Sequence, residues 1–240
     1  MIFGVVLAGG IGSRMNNGIP KQFINLNGKP IIIRTIEKLL YSKYIDNLII
    51  VVHPDFKNYL NGLLKDFNIS KSQIRIVDGG NTRLNSIENS INMITNISVS
   101  DDDIVVIHDA VRPFLSKSLI KSSIINAEMY GVCVATVPVT DTIYNVANGY
   151  INNFPDRSVL YNGQTPDSFK LSIIKKALNL LTDFDKQNIT GTVQVCKKLG
   201  IKIKSIDGDL FNIKITTPLD LIIAEGIIRN ESIDESSCFK

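Results

Sequence analysis

Short apolar runs rich in valine and isoleucine alternate with segments of helical period along most of the chain. The runs cover residues 2–7, 48–52, 74–77, 104–107 and 133–139. Runs of this length, bounded by turn residues, predict buried strands. Between them, the spacing of 3, 4 and 3 residues through Leu84, Ile87, Ile91 and Ile94 predicts one apolar face of a helix. The alternation predicts an α/β fold with a mostly parallel sheet and helices on both faces.

Proline and capping residues mark where the predicted helices begin. Pro30 precedes a helical segment over 31–40, in the first-turn position that proline tolerates. Residues 217–220 read Thr-Pro-Leu-Asp, which combines a threonine cap, a first-turn proline and an early carboxylate. We expect this last helix to run to Arg229.

The segment 141–164 lacks helical period. It holds two extended runs, 142–146 and 159–161, around a turn-forming Ala-Asn-Gly at 147–149. This pattern predicts a β-hairpin arm that protrudes from the main sheet. We expect one domain over residues 1–230 that includes the arm, and a frayed polar tail over 231–240.

Composition excludes several classes of protein. The net charge of +3 is too small to indicate binding of nucleic acid, and no apolar stretch approaches the roughly 20 residues that span a bilayer. The first apolar run has no charged residues before it and stops at glycine, so it predicts a strand and not a signal peptide. The three cysteines are widely spaced, which favours neither a metal site nor disulfides and suits a reducing cytoplasm.

The first predicted strand ends in a glycine-rich loop. Residues 7–15 read LAGGIGSRM, with Arg14 inside the run and Lys21 soon after it. The pattern matches neither the dinucleotide-binding nor the P-loop fingerprint. Backbone N–H groups and two cations at the carboxyl end of a first strand nevertheless predict an anion site, where sheets of this class bind ligands.

Two further polar clusters follow later strands. Residues 79–83 read Gly-Gly-Asn-Thr-Arg and precede the helix that carries Ser86. Asp109 and Arg112 come directly after the run at 104–107, where they can hydrogen-bond a polyol, hold a metal, or simply pair with each other. His108 beside them is interpreted as a structural histidine and not as a base.

Taken together, the motifs LAGGIGSRM, PKQF, GGxxR, HDAVRPF, VTDTI, QTP and NIKITTP define a resemblance. The chain resembles, from about residue 2 to 228, the cytidylyltransferases of 2-C-methylerythritol 4-phosphate and of ribitol 5-phosphate. The resemblance implies a Rossmann-like fold and an arm that crosses to a twofold-related subunit. It also implies transfer of CMP from CTP to a polyol phosphate, with Mg²⁺ or another divalent cation as cofactor and a homodimer formed through the arm.

The same resemblance assigns roles to residues. The loop that wraps the CTP triphosphate comprises Leu7, Ala8, Gly9, Gly10 and Gly12. The cytosine and ribose are held by Gly80, Asn81 and Ser86, with Arg83 in the same loop. The acceptor is held by Asp109, Arg112, Thr142, Thr165, Thr190 and Lys214, and by Arg157 from the neighbouring subunit. The catalytic cations are Arg14, Lys21 and Lys214, and no residue is assigned to the metal.

The reaction that the resemblance implies needs no strong base. An acceptor phosphate oxygen attacks the α-phosphorus of CTP and pyrophosphate leaves, so nucleophile and leaving group are both anionic already. Positioning and charge neutralisation then supply most of the rate. Lysine and arginine side chains suit that demand.

Two stretches of the sequence bear on the identity of the acceptor. The Ala-Gly-Gly of residues 8–10 and the stretch 157–166 favour ribitol 5-phosphate, with 2-C-methylerythritol 4-phosphate as the alternative. Two residues depart from the family pattern near the acceptor: Asp167 replaces a glutamine, and Gly191 replaces an aspartate. The rival classes are a transferase that uses another nucleotide, and a non-catalytic nucleotide-binding protein. The second is disfavoured because both Arg14 and Lys21 are present.

Overall fold

The computed structural model describes residues 1–10, 19–189, 191–197 and 200–237. Its strands are β1 (Ile2–Ala8), β2 (Asn25–Leu26), β3 (Lys29–Pro30), β4 (Asn47–Val52), β5 (Ile74–Asp78), β6 (Ile104–Asp109), β7 (Val132–Pro138), β8 (Asn145–Ala147), β9 (Tyr150–Asn153), β10 (Tyr161–Lys170) and β11 (Lys204–Asp207). Its helices are α1 (Ile31–Tyr41), α2 (Lys57–Asp66), α3 (Arg83–Ile97), α4 (Lys117–Tyr130), α5 (Leu171–Asn179), α6 (Asp183–Asn188), α7 (Thr192–Lys197) and α8 (Pro218–Ser237).

Within the described residues the main sheet has seven strands in the order β11-β7-β10-β6-β1-β4-β5. β1 lies between β4 and β6 and is parallel to both, so that Val5 pairs with Ile49 on one side and Ile107 on the other. Every residue of β6 is buried. Strands covered on both faces read as continuous apolar runs, which is why the sequence pattern located them well. The predicted α/β fold is confirmed.

Two apolar cores lie on opposite faces of this sheet. Alternate residues of β1 divide between them, with Val6 packed among residues of α1, α2 and α4. Val5 packs on the other face among residues of α3, α5 and α7. Because successive side chains of a strand point to opposite faces, one strand contributes to both layers. The arrangement brings the carboxyl ends of β1, β4, β5 and β6 to a common edge.

The strand β10 was not predicted. It runs antiparallel between β6 and β7, and its register with β7 shifts between Gly163 and Asp167. Pro166 lies at that irregularity, which accommodates a residue that lacks an N–H for the ladder. The expectation that 159–161 forms the return strand of the arm was therefore wrong, because Tyr161 begins β10.

The arm exists as a shorter hairpin than expected. β8 and β9 pair antiparallel around Asn148 and Gly149, which have φ values of 53° and 82°. Positive φ at both central residues is the conformation for which Asn-Gly is favoured in two-residue hairpin turns. The turn was thus predicted correctly, whereas the second strand was placed too far along the chain.

The last helix is longer than the sequence pattern indicated. The Asp220 carboxylate accepts hydrogen bonds from the backbone N–H groups of Thr216 and Thr217, both at 2.8 Å, so the predicted start is confirmed. α8 then continues past Arg229 to Ser237, and residues 231–237 are helical where we expected a frayed tail. No glycine or proline interrupts the polar segment 231–237, so nothing in its sequence stops the helix. Among the described residues, no helix is long and apolar enough to cross a bilayer.

Candidate active site

A cleft of about 250 Å³ opens where β1, β5 and β6 end. The described residues that line it are Leu7, Ala8, Gly9, Gly10, Lys21, Gln22, Gly80, Asn81, Thr82, Arg83, Ser86, Asp109, Ala110, Val111 and Lys214. It lies at the carboxyl edge of the strands, where parallel sheets usually bind ligands. Three segments far apart in sequence therefore meet as predicted: the glycine loop, the segment before α3, and the end of β6.

Glycines allow two of these segments to touch. A Cβ on Gly79 would lie 3.3 Å from the Cα of Gly9, and a Cβ on Gly80 would lie 2.3 Å from the Cβ of Asn85. The Gly80 N–H donates to the Ser86 hydroxyl at 3.1 Å, and that hydroxyl donates to the Thr82 carbonyl. Close approach, and not unusual φ, is thus what these positions require. The Ser86 hydroxyl, which the resemblance assigns to the cytosine and ribose site, is hydrogen-bonded within the loop in this structure.

Gln22 holds the first loop and was not singled out in the sequence analysis. Its buried side chain donates from Nε2 to the carbonyls of Ala8 at 2.7 Å and Gly10 at 2.9 Å. Lys21 directly precedes it in a single 3₁₀ turn, Lys21–Phe23, and lines the cleft. The backbone turn that carries Lys21 is therefore held beside residues 8–10 by the hydrogen bonds of Gln22. The only sequence signal was its place next to Lys21.

The N-terminus of α3 faces the same cleft. The Thr82 hydroxyl caps this helix by accepting from the Asn85 N–H at 3.0 Å. Arg83, the first residue of the helix, projects toward Asp109, with its Nη2 at 3.3 Å from Oδ1. Free N–H groups at a helix start and a guanidinium both favour an anion.

Asp109 is the centre of a cluster of charges. Its carboxylate lies 2.9 Å from the Lys214 Nζ, 3.3 Å from Arg83 and 3.6 Å from the Arg112 Nε. Burial alone would raise the pKa of Asp109, but the charges of Lys214 and Arg83 outweigh it and hold the pKa well below its ordinary value. Asp109 therefore stays ionised. Three cations around Asp109 leave a net positive charge beside the cleft, which suits a phosphorylated substrate.

The segment 212–215 carries Lys214 to this cluster. The Ile215 N–H donates to the Val111 carbonyl at 2.9 Å, so the segment runs beside the loop that follows β6. Asn212 is fully buried, and its Nδ2 donates to the Thr165 carbonyl at 2.7 Å. Arg112 donates from Nη1 to the carbonyl of Asn212 at 2.7 Å. Asn212, which opens the NIKITTP motif, thus ties three parts of the site together.

His108 has a structural role, as interpreted from the sequence. Its ring is fully buried, and burial lowers its pKa to about 4, so it is neutral at pH 7. The Arg112 carbonyl can only accept, so Nε2 donates to it at 3.0 Å. Nδ1 then accepts from the Thr165 hydroxyl at 3.0 Å, and that hydroxyl also accepts from the Asp109 N–H. Thr165 therefore orients the end of β6 from within the protein.

The structure brings most of the residues predicted for the site into one cleft. Gathered there are Leu7, Ala8, Gly9, Gly10, Lys21, Gly80, Asn81, Arg83, Ser86, Asp109 and Lys214. Outside its lining lie Arg112, Thr142, Arg157 and Thr165. Gly12, Arg14 and Thr190 fall outside the described residues.

The residues not in the cleft have identifiable places. Arg112 is buried behind Asp109, and Thr142 is exposed at the base of the arm. Arg157 follows β9 and donates from Nη1 to the Thr140 carbonyl at 2.7 Å. The contact described for the Arg157 guanidinium is therefore with the backbone that precedes the arm, and not with the cleft of this chain.

The donor set does not form a cation site of its own. Among the described residues, no three histidine, cysteine, aspartate or glutamate side chains are grouped so that they could hold a metal ion. Asp109 is the carboxylate that lines the cleft, and both of its oxygens already face cations. These residues therefore do not suit a metal ion held by the protein alone.

The fold and cleft together define a nucleotidyltransferase-like protein, with glycines at the end of β1 and a cluster of cations lining the same cleft. A profile of the family IspD, 2-C-methyl-D-erythritol 4-phosphate cytidylyltransferase, matches residues 2–230. The chain belongs to this family and is a nucleotidyltransferase enzyme. The resemblance drawn from its motifs is confirmed.

Solved structures agree with this assignment. The 4-diphosphocytidyl-2C-methyl-D-erythritol synthase of Anaerococcus prevotii is 26% identical, with 95% of this chain and 96% of that chain covered and a TM-score of 0.80. The 2-C-methyl-D-erythritol 4-phosphate cytidylyltransferase of Francisella tularensis is 27% identical, with coverages of 93% and 97% and a TM-score of 0.78. The enzyme of that name from Thermus thermophilus, 21% identical over 94% and 98% of the two chains, shares the fold with a TM-score of 0.72.

Proposed function

We propose that the protein transfers CMP from CTP to 2-C-methyl-D-erythritol 4-phosphate and releases pyrophosphate. The observation that carries the proposal is the cluster of Arg83, Arg112 and Lys214 around Asp109 beside a glycine-lined cleft. The family match supports this acceptor. The match gives less support to ribitol 5-phosphate, the acceptor that residues 8–10 and 157–166 favour.

In this mechanism the protein positions two anions and neutralises their charge. The backbone of residues 7–10 and the side chain of Lys21 receive the triphosphate, and Lys21 stabilises the charge that grows on the α-phosphoryl oxygens. Lys214 and Arg83 attract the phosphate of the acceptor, whose oxygen attacks in line. Fixed donors in a partly dry cleft stabilise such a transition state more than water does. Asp109 holds both cations in place and takes no proton.

We expect CTP to support turnover at least tenfold better than ATP or GTP. The backbone of Gly80 and the short side chain of Asn81 leave room for a small base and supply groups for its polar edge. Two lost hydrogen bonds at about 1–3 kcal/mol each give a discrimination of this order or larger. Pyrophosphate release measured with four nucleotides tests this, and equal rates with ATP would favour a transferase that uses another nucleotide.

We expect 2-C-methyl-D-erythritol 4-phosphate to exceed ribitol 5-phosphate in kcat/KM by at least tenfold. A methyl group in a fitted pocket contributes about 1–3 kcal/mol, so the two acceptors are separable but not by many orders of magnitude. The measurement is pyrophosphate release with CTP and each acceptor, with erythritol 4-phosphate as the control that lacks the methyl group. Preference for ribitol 5-phosphate would contradict the proposed acceptor while leaving CTP transfer intact.

We also propose Mg²⁺ or another divalent cation as the cofactor, because the family resemblance implies one. Mg²⁺ commonly binds through substrate phosphates with few protein carboxylates, and CTP brings three phosphates. The cytoplasm likewise remains the proposed location.

We further propose that the protein acts as a homodimer through its arm. Tyr144 and Phe154 stack edge to face on the hairpin at 5.5 Å between centroids, yet Phe154 is 71% exposed. Val146, Ile151 and Val159 are also exposed. A two-stranded hairpin is marginal in water, and an apolar surface of this kind favours a partner surface. A twofold-related copy, with Arg157 reaching its acceptor site, fits both this exposure and the resemblance.

A further inference from the structure

Asp167 is a buried carboxylate to which the mechanism gives no task. It lies on β10, opposite Ile107 of β6 and Val134 of β7, in the middle of the sheet. Its residue is only 5% exposed. Burial raises its pKa to about 7, although the nearby charge of Arg83 and a hydrogen bond with Thr192 act in the opposite direction. Ionised carboxylates are rarely buried unless they are paired with a cation and hydrogen-bonded.

Asp167 is connected to the cleft through one intermediary. The Arg83 Nη1 donates a short hydrogen bond to the Thr192 hydroxyl, which is 1% exposed at the start of α7. With that lone pair occupied, the hydroxyl proton is free to be donated to the Asp167 carboxylate. The same guanidinium reaches Asp109 with its other nitrogen, Nη2. Arg83 is thus held from two sides, by Asp109 in the cleft and by Asp167 beneath it.

We propose that Asp167 is a positioning residue for the transfer reaction: through the Thr192 hydroxyl, its carboxylate fixes the guanidinium of Arg83 at the wall of the cleft. The ionised form does this best, because a hydrogen bond to a charged acceptor is stronger than one to a neutral acceptor. The inference rests on the proposed function, since it assigns Arg83 a task in that reaction.

Other ionisable groups lie close enough to Asp167 to interact with its charge, either on its own face of the sheet or across the sheet. They are Asp109 and Arg112 from the end of β6, Cys133 from β7 and Cys196 from α7. Burial raises the pKa of both thiols to about 12, so they stay neutral between pH 6 and 9. Arg112 remains protonated and Asp109 remains ionised over the same range. Asp167 is therefore the member of this group that titrates near neutral pH.

The test compares wild type, Asp167→Asn, Thr192→Val and the double variant from pH 6 to 8.5. Asparagine keeps an oxygen that accepts from Thr192 but removes the charge, and valine is nearly isosteric with threonine but cannot relay. We expect the ratio of wild-type to Asp167→Asn kcat/KM to rise from about one at pH 6 to about five- to tenfold at pH 8.5. The substrates' own phosphate ionisations cancel in this ratio. The control is Ser168→Ala, the next buried residue on β10, whose side chain points to the opposite face.

The double variant tests the relay. If Asp167 acts only through Thr192, both losses at pH 8.5 report one linkage, and combining them costs no more than the larger single loss. Additive losses would overturn the proposal. A ratio that does not change with pH would overturn it as well.

Thermal unfolding separates positioning from a merely structural role. The native pKa of Asp167 lies above that of the unfolded chain, so wild type loses stability as pH rises from about 4 through 7. Asp167→Asn avoids this loss, and its Tm should gain on wild type over that range. We thus expect a variant that is more stable yet less active at pH 8.5. A parallel loss of Tm and activity would show a structural role instead.

Failure of the inference is distinguishable from failure of the proposed function. If wild type releases no pyrophosphate from CTP with any polyol phosphate, the proposed function fails. The rise in Tm on adding inorganic phosphate, which probes the cations around Arg83, then still compares the variants without turnover. A smaller rise for Asp167→Asn at pH 8.5 supports the placement of Arg83, and an equal rise contradicts it.

Discussion

Lys21→Ala is expected to lower kcat by about 100- to 1000-fold while the KM for CTP changes by less than about fivefold. Gln22 ties residues 8–10 to the turn that carries Lys21, so the backbone of Lys21 is in place at the cleft before substrate arrives. An interaction that strengthens as charge develops on the α-phosphoryl group lowers the barrier without tightening the ground state. Initial rates of pyrophosphate release over a range of CTP concentrations give both constants.

Two matched variants make this result specific. Lys38→Ala removes an exposed lysine from α1, outside the lining of the cleft, and should leave kcat within twofold of wild type. Gln22→Leu keeps the volume of the buried side chain but frees the carbonyls of Ala8 and Gly10, and should lower kcat while retaining Lys21. A Lys21→Ala enzyme with normal turnover and only a raised KM would show that Lys21 binds CTP uniformly and does not act in the transition state.

The elements predicted best were those whose pattern is set by burial on both faces. The strands β1, β4 and β6 form continuous apolar runs because helices cover the sheet above and below. Their polar termini then had to meet at one edge, which is why the cleft residues from three segments were found together. In a parallel sheet, residues that follow the strands lie close together at one edge, however far apart they are in the sequence. The pattern of strands is therefore enough to predict that these residues meet.

The features that were missed depend on tertiary context. β10 contains Gly163 and Pro166, which argue against a central strand, and only pairing with β6 and β7 makes it one. The internal hydrogen bonds of Thr165 and Ser86 were also not predicted: their hydroxyl groups are engaged with His108 and the backbone of Gly80. A sequence shows that a hydroxyl group is present but not which neighbour it will hydrogen-bond.

The second large effect is expected when two inactive variants are mixed. Arg157→Ala and Lys21→Ala should each be strongly impaired as homodimers, since each removes one cation from both sites. After subunit exchange, we expect activity of about half the wild-type value per mixed dimer. This follows from the proposed crossing of the arm, which assigns Lys21 of one subunit and Arg157 of the other to each site.

The prediction is sharp because the two arrangements differ in every mixed dimer. If the arm crosses, the site that keeps Lys21 receives an intact Arg157 from the partner, and the other site carries both lesions. If Arg157 serves its own chain, each site carries one lesion and no activity returns. The control mixes Lys38→Ala with Lys21→Ala, which restores no damaged site and only averages the parents.

Exchange and assembly are measurable apart from activity. Differently tagged subunits report the fraction of mixed dimers, so absence of recovery with mixed dimers present would contradict action across the interface. Sedimentation at micromolar concentration gives the oligomeric state directly, and a monomer would contradict the dimer before any mixing. The arm's exposed apolar side chains, Phe154 and Val159 at 71% each, set the expectation. Replacing both by serine should dissociate the dimer and, because Arg157 then reaches no partner, lower kcat/KM for the acceptor to the level of Arg157→Ala.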